Sequence, residues 1–253
     1  MTRWGIAGLV AVATACGGAA RPAEPPAVAI ERSDELWSRA EAHGPIRAAP
    51  FGVAGEQLIY HISIRGLAVG RLRIAVGTPG VIEGRRAVLV SSSLESDGLL
   101  SIVSDLSWVL ESTVDLDTGH PIHSSSEYHA IYQGTHERDS RTRDWPADTD
   151  LHNLHSAVGV LRGWDPAVGE AARLDLRIGG RFDIELLMAG REYAQWAEGP
   201  VMRIEGRAHI GRSFAFTVWL SDDAHRVPVR FDTETILGPA RVELVSYDAP
   251  ARP

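Results

Sequence analysis

The sequence predicts a mostly β protein: one large curved antiparallel sheet, a barrel or half-barrel, with one central helix and a short N-terminal helix. Three features carry this. Apolar and polar residues alternate with period two through most of the chain beyond Phe51, the spacing that gives a strand one apolar and one wet face. Turn residues punctuate these segments at hairpin intervals: Gly66, residues 77–80, residues 117–121, Gly179 with Gly180, and Gly238 with Pro239. One main segment, from Asp148 to Gly163, replaces the alternation with helical spacing.

Taken in order, residues 1–15 read as a lipoprotein signal peptide. Arg3 supplies the charged start, Gly5 to Val12 the apolar stretch, and Ala13, Thr14 and Ala15 the small residues before a cut. The stretch is too short to span a bilayer, which takes about 20 residues. Cys16, the only cysteine, stands where bacterial lipoproteins carry the acylated thiol, and a lone cysteine allows neither an intrachain disulfide nor a multi-cysteine metal site. Residues 16–30, with Pro22, Pro25 and Pro26, read as an extended tether. Residues 31–50 hold a short helix and linker: Ser33 caps a helix to Ala42, Leu36, Trp37 and Ala40 share its face, and His43, Gly44 and Pro45 end it.

Residues 51–247 read as a single antiparallel β domain, with 248–253 as a tail. Leu58, Tyr60, Ile62 and Ile64 share the first strand face; Leu72, Ile74 and Val76 the next; Trp108, Leu110 and Val114 another. The pattern returns with Leu174 to Ile178, Phe182 to Met188, Met202 with Ile204, Phe214 to Leu220, and Val242 with Leu244. Asp97 to Ser104 forms a second, weaker helical stretch. In the central helix Leu151, Leu154, His155, Val158 and Leu161 recur at helical spacing, Asp148 or Asp150 supplies a cap, and Gly163 the stop. A helix of about thirteen residues is about 20 Å long and cannot cover the apolar faces of about a dozen strands. The sheet must therefore curl, with the helix filling its concave side. Leu151, Leu154 and Val158 then point inward as candidate ligand contacts, and His152 lies at the edge of that stripe.

Composition excludes several chemistries. All 25 basic residues are arginines, so a phosphate-loop lysine, Schiff-base and pyridoxal chemistry and a Ser-Lys hydrolase are ruled out. A net charge of −8 with scattered arginines gives no footprint for nucleic acid. Asp117-Thr118-Gly119 matches the aspartic-protease triplet once, but His120-Pro121 follows it, and the run reads as a hairpin turn. No Gly-x-Ser-x-Gly elbow surrounds any serine. Six of the ten histidines fall between His120 and His155. His123, Glu127 and His129 share a strand face, and His152 and His155, one helical turn apart, form with Asp150 a candidate metal triad. Near the C-terminus an Arg226 to Asp222 pair is expected to tie a strand connection, and Arg162 to meet the helix carbonyls.

The order of features resembles the bacterial family catalogued as domain of unknown function 3108. The resemblance covers about residues 51–247. It rests on Gly55-Glu56 at the entry to the first strand, Arg162 at the helix end, and the run Trp219, Ser221, Asp222, Arg226, Pro228, Val229. It implies an exported, mostly β protein with no agreed activity.

The reading that follows is a non-enzymatic lipoprotein of the bacterial envelope, outer-membrane-anchored and facing the periplasm, without cofactor. Its curled sheet holds an apolar small molecule or docks on an envelope component. The alternatives are a metal-dependent hydrolase built on the His120 to His155 cluster and a purely structural envelope protein.

Overall fold

The computed structural model describes residues 35–38, 42–46, 52–98, 104–132, 135–146, 150–210 and 212–249. The alternating segments become strands: β1 (Ala42–Pro45), β2 (Gln57–Ile64), β3 (Leu67–Val76), β4 (Gly80–Ile82), β5 (Arg85–Ser96), β6 (Ser104–Asp115), β7 (Pro121–Tyr132) and β8 (Thr135–Asp144). After β9 (Leu151–His152) and the helix α1 (Leu154–Gly163) come β10 (Ala171–Ile178), β11 (Gly180–Tyr193), β12 (Pro200–Ile210), β13 (Arg212–Ser221), β14 (Pro228–Thr235) and β15 (Gly238–Asp248). All fifteen strands belong to one sheet.

Its topology is two meanders, β2 to β8 and β10 to β15, zipped together where β15 pairs with β2 in register Leu244 to Tyr60. Among the described residues the two free edges are β8 on one side and, on the other, the strip where β1 and β9 run parallel to β10. The sheet is curved rather than flat, because α1 touches strands from both ends of that order. Ala157 and Val160 pack with Leu174, Ile184, Met202 and Leu220 of β10 to β13, while Val158 packs on Val76, Val88, Val90 and Val114 of β3, β5 and β6. A ten-residue helix reaches both only if the sheet wraps it. The expected mostly β architecture, with a helix inside an unclosed curl, is what forms.

Boundaries differ from expectation in four places. Ala42 is a strand residue and not the end of a helix; only residues 35–38 of the N-terminal helix are described as helical, and the stretch assigned to linker contributes β1. Four residues of strand carry too little alternation to read, and what holds them is a backbone ladder to β10. The central helix starts at Leu154, capped by Asn153 and not by Asp148 or Asp150; the Asn153 side chain accepts from the Ser156 amide while the Ser156 hydroxyl accepts from the Asn153 amide. Leu151 and His152 consequently lie on β9, off the helical stripe. β15 also continues to Asp248, one residue into the expected tail. Of the weaker helical stretch only Asp97, Gly98 and Ser104 are described, none of them helical, and residues 99–103 lie outside the described residues.

The Asp117-Thr118-Gly119 triplet forms the turn between β6 and β7. The Asp115 carboxylate accepts from the amides of Asp117 and Thr118 at 2.8 and 3.0 Å, and Gly119 takes a positive φ of 73°.

Candidate functional site

Two buried polar assemblies bracket α1, and an apolar strip extends from them along the concave face. At the N-terminal end of the helix, His155 is 1% exposed and has both ring nitrogens occupied: Nδ1 lies 2.7 Å from the Ser112 hydroxyl of β6 and Nε2 lies 3.0 Å from the Ser92 hydroxyl of β5. Asn153 Nδ2 donates to the same Ser112 oxygen at 2.9 Å. His152, 3% exposed, places Nδ1 3.2 Å from the Ser156 hydroxyl and stacks on His120 at 4.6 Å between centroids. Burial pushes His155 down to about 3. His152 falls to about 4, first by burial and then by the neighbouring His120, against a smaller upward pull from Asp175. Both imidazoles are therefore neutral at physiological pH.

At the other end of the helix Arg162 makes a buried bidentate ion pair. Its Nη1 donates to Oε1 and its Nη2, at 3.0 Å, to Oε2 of Glu56, which is wholly buried. The guanidinium also donates from Nε and Nη2 to the His225 carbonyl, at 3.0 and 2.9 Å. Tyr247 of β15 donates to Glu56 Oε2 at 3.2 Å, and burial with the nearby carboxylate pushes its hydroxyl up to about 12. Arg162 thus joins the entry of β2 to the 222–227 connection instead of capping its own helix carbonyls, because a buried guanidinium needs a counter-charge more than a dipole. Gly52 makes room: a Cβ there would stand 2.0 Å from Glu56 Oε1, and its φ of +36° is itself unfavourable for other residues. Gly55, at φ 81°, turns the chain so that Glu56 enters β2 pointing inward.

The expected Arg226 to Asp222 pair does not form. Arg226, in left-handed backbone at φ 45°, reaches the Trp164 carbonyl at 2.8 Å and Asp165 at 2.8 Å, whereas Asp222 pairs with Arg191. The connection is tied to the helix end instead of to itself. Trp219 sits on the opposite, convex face, donating to Glu192 at 2.9 Å and packing edge-on against Trp196. Pro228 opens β14 and its carbonyl accepts from the Tyr60 hydroxyl at 3.0 Å.

The histidine-rich segment is dispersed. His123, bonded to Asp144 at 2.7 Å, and the His129 and His136 rings, 6.2 Å apart, belong to the outer face of β7 and β8. Asp150 is exposed while His152 and His155 are buried in the network above. Among the described residues no group of three or more His, Cys, Asp or Glu side chains stands close enough to hold a metal ion.

Of the candidate ligand contacts, Leu154 and Val158 are half-buried on α1 and Leu151 half-buried on β9. The fully buried helix side is His155, Ser156, Ala157, Gly159, Val160 and Arg162. Beyond the helix the same concave face carries a strip unforeseen from the sequence. Register aligns Phe231, Val242 and Ile62 across β14, β15 and β2, and Leu72, Leu94, Trp108 and Tyr128 across β3, β5, β6 and β7; the two runs are offset by two residues, since Ile62 faces Gly70 and Leu72 faces Tyr60, and all seven side chains are half-buried. Two open hollows, of about 270 Å3 beside Val76, Val88 and Leu116 and about 210 Å3 beside Ile59, Arg73 and Ser91, lie elsewhere. The serines at inward positions, Ser92 between Val90 and Leu94 and Ser112 between Leu110 and Val114, were the readable sign of a polar partner inside.

No protein-family model and no curated protein matches the chain. Among solved structures it is similar to a β-barrel-like protein of domain of unknown function 1849 from Brucella abortus, with a TM-score of 0.53 at 8% identity, over 79% of this chain and 100% of that one. That likeness establishes the fold. A Bacteroides fragilis protein of YmcC-like fold, named as exported, aligns with a TM-score of 0.35 at 10% identity over 79% of this chain and 99% of its own. A Parabacteroides distasonis protein named as a lipoprotein aligns with 0.34 at 6% identity over the same shares.

Proposed function

We propose that the protein is a non-enzymatic lipoprotein of the bacterial envelope, anchored in the outer membrane through acylated Cys16 and facing the periplasm, whose concave strip seats an apolar chain. The observation that carries the binding part is the pair of aligned runs, Phe231 to Ile62 and Leu72 to Tyr128, offset from each other by two residues where β2 meets β3. Seven apolar side chains from seven adjacent strands stay half-exposed on the concave face, and contiguous apolar surface of that kind marks a binding site more often than chance. Membership of the domain of unknown function 3108 family is part of the same reading, supported by the Glu56 to Arg162 pair, which joins two of the motif residues, 106 positions apart in the chain. The buried histidines support a non-enzymatic role, since His155 has no free nitrogen to offer a metal or a nucleophile.

A brominated fatty acid is expected to quench Trp108 saturably, with the quenched fraction lost in Trp108→Phe and the affinity reduced in Leu94→Arg. Absence of saturable quenching in the folded wild-type protein would leave a purely structural envelope role as the better account. The anchor is tested separately: metabolic labelling with a fatty acid should mark the wild type and not Cys16→Ser. Cys16 lies outside the described residues, so this part rests on the signal sequence alone.

A further inference from the structure

The free edge formed by β8 is unlike the rest of the sheet. All ten residues, Thr135–Asp144, are exposed on both faces, and among the described residues the strand is paired on one side only, to β7. A long exposed edge is a template for strand addition. Proteins commonly guard such an edge with charges of one sign. Here the two signs are interspersed: Glu137, Arg138, Asp139, then Arg141, Arg143 and Asp144.

We propose that two copies of this chain pair through β8 against β8, antiparallel about a two-fold axis at Ser140, to form one continuous sheet. The register follows from charge. A two-fold axis perpendicular to the sheet places residues of equal parity opposite each other, so each register is defined by the residue that meets itself. Centring on Ser140 sets Asp139 opposite the partner's Arg141, Glu137 opposite the partner's Arg143 and His136 opposite the partner's Asp144. By symmetry each pair occurs twice, and no like charges meet. Centring on Asp139, Arg138 or Arg141 sets a charge against itself, and centring on Thr142 sets Arg141 against Arg143.

The single chain prepares these contacts. Asp139 and Arg141 already bond along the strand at 2.7 Å, on one face, so a partner needs only to exchange them crosswise. Arg143 lies over the Trp145 ring at 5.6 Å. Partial desolvation, with Arg177 of β10 and Arg141 close by, holds its guanidinium below the usual range, so a carboxylate arriving there relieves a concentration of positive charge. Among the described residues no ion pair engages Glu137, which supplies that carboxylate in the proposed register.

Full-length Cys16→Ser protein, which has no other thiol, provides the background for the test. Mild oxidation of Ser140→Cys should give a covalent dimer. Arg138→Cys and Thr142→Cys should each stay monomeric alone and cross-link when mixed, because the register sets them opposite each other. Sedimentation equilibrium should show a concentration-dependent dimer that Glu137→Arg abolishes and Glu137→Arg with Arg143→Glu restores, with melting temperatures unchanged at dilutions where the wild type is monomeric, because these side chains are exposed in the single chain. The proposal is overturned if the wild-type chain sediments as a monomer throughout, or if Ser140→Cys cross-links no better than Arg138→Cys alone. It is equally overturned if the double charge exchange fails to restore what the single one removes.

Discussion

Glu56→Ala should destabilise the domain by about 3–5 kcal/mol, because it strands the Arg162 guanidinium, itself 6% exposed, without its carboxylate. Against a total stability of about 5–15 kcal/mol for a domain of ordinary size, that is enough to move the urea midpoint far down or to prevent folding at growth temperature. The neighbours give no relief: the His225 carbonyl already accepts two donors from Arg162, and Tyr247 loses its acceptor at the same time. Replacing both charges together, Glu56→Leu with Arg162→Met, should recover much of the loss, since removing a buried pair is far less damaging than breaking it. A loss under about 1 kcal/mol in Glu56→Ala, the range of exposed substitutions, would show that the pair is not buried in solution.

Acid should act on the other end of the helix with comparable force. The folded-state values of His155 and His152, about 3 and about 4, lie below the ordinary value of 6.5. Each imidazole therefore takes up a proton in the unfolded chain before it does so in the native one. The stability they hold is fully present above pH 6.5 and falls as pH drops toward 4, by about 1.4 kcal/mol per unit for each, or about 3 kcal/mol per unit together. Urea midpoints measured between pH 7 and 5 should decline accordingly. His155→Gln, which keeps a donor and an acceptor, should roughly halve the slope at the cost of some stability at neutral pH; an unchanged slope would show that the decline comes from other groups. His152 was expected at an exposed edge, where its loss matters little. Buried under His120 and bonded to Ser156, it instead contributes to this acid sensitivity.

What the sequence disclosed and what it concealed divide along physical lines. Strands with one apolar face, such as Leu174 to Ile178 or Phe214 to Leu220, read directly because burial dictates their period. β8 is invisible to that logic: THERDSRTRD has no apolar position, and the strand exists because β7 offers it a backbone ladder. The two-residue β9 and four-residue β1 are too short to show a pattern. At the site, the Glu56, Arg162 and Arg226 positions were singled out by resemblance, but which of them meet depends on contacts between residues far apart in the chain. Asp222 was the obvious neighbour for Arg226 in sequence, and Asp165 is the one in space. The polar network around His155 was half visible, since a serine at an inward position on each of two paired strands breaks the apolar pattern; its histidine partner lay on another element.

The pairing of β15 with β2 bears on how the chain is made. These strands come from opposite ends of the domain, yet they meet in the middle of the sheet, and Gln57 finds its partner at Asp248. During synthesis the N-terminal meander must wait, with β2 exposed as an open edge, until nearly the whole chain has emerged. Contacts of such wide sequence separation slow folding and lengthen the time in which unpaired edges can misassociate. The same feature makes the last strand a keystone of assembly rather than a trim at its margin: a chain cut short before Gly238 leaves two half-sheets with no backbone ladder between them. An escort that shields strand edges until the last strand arrives is the kind of help such a topology calls for.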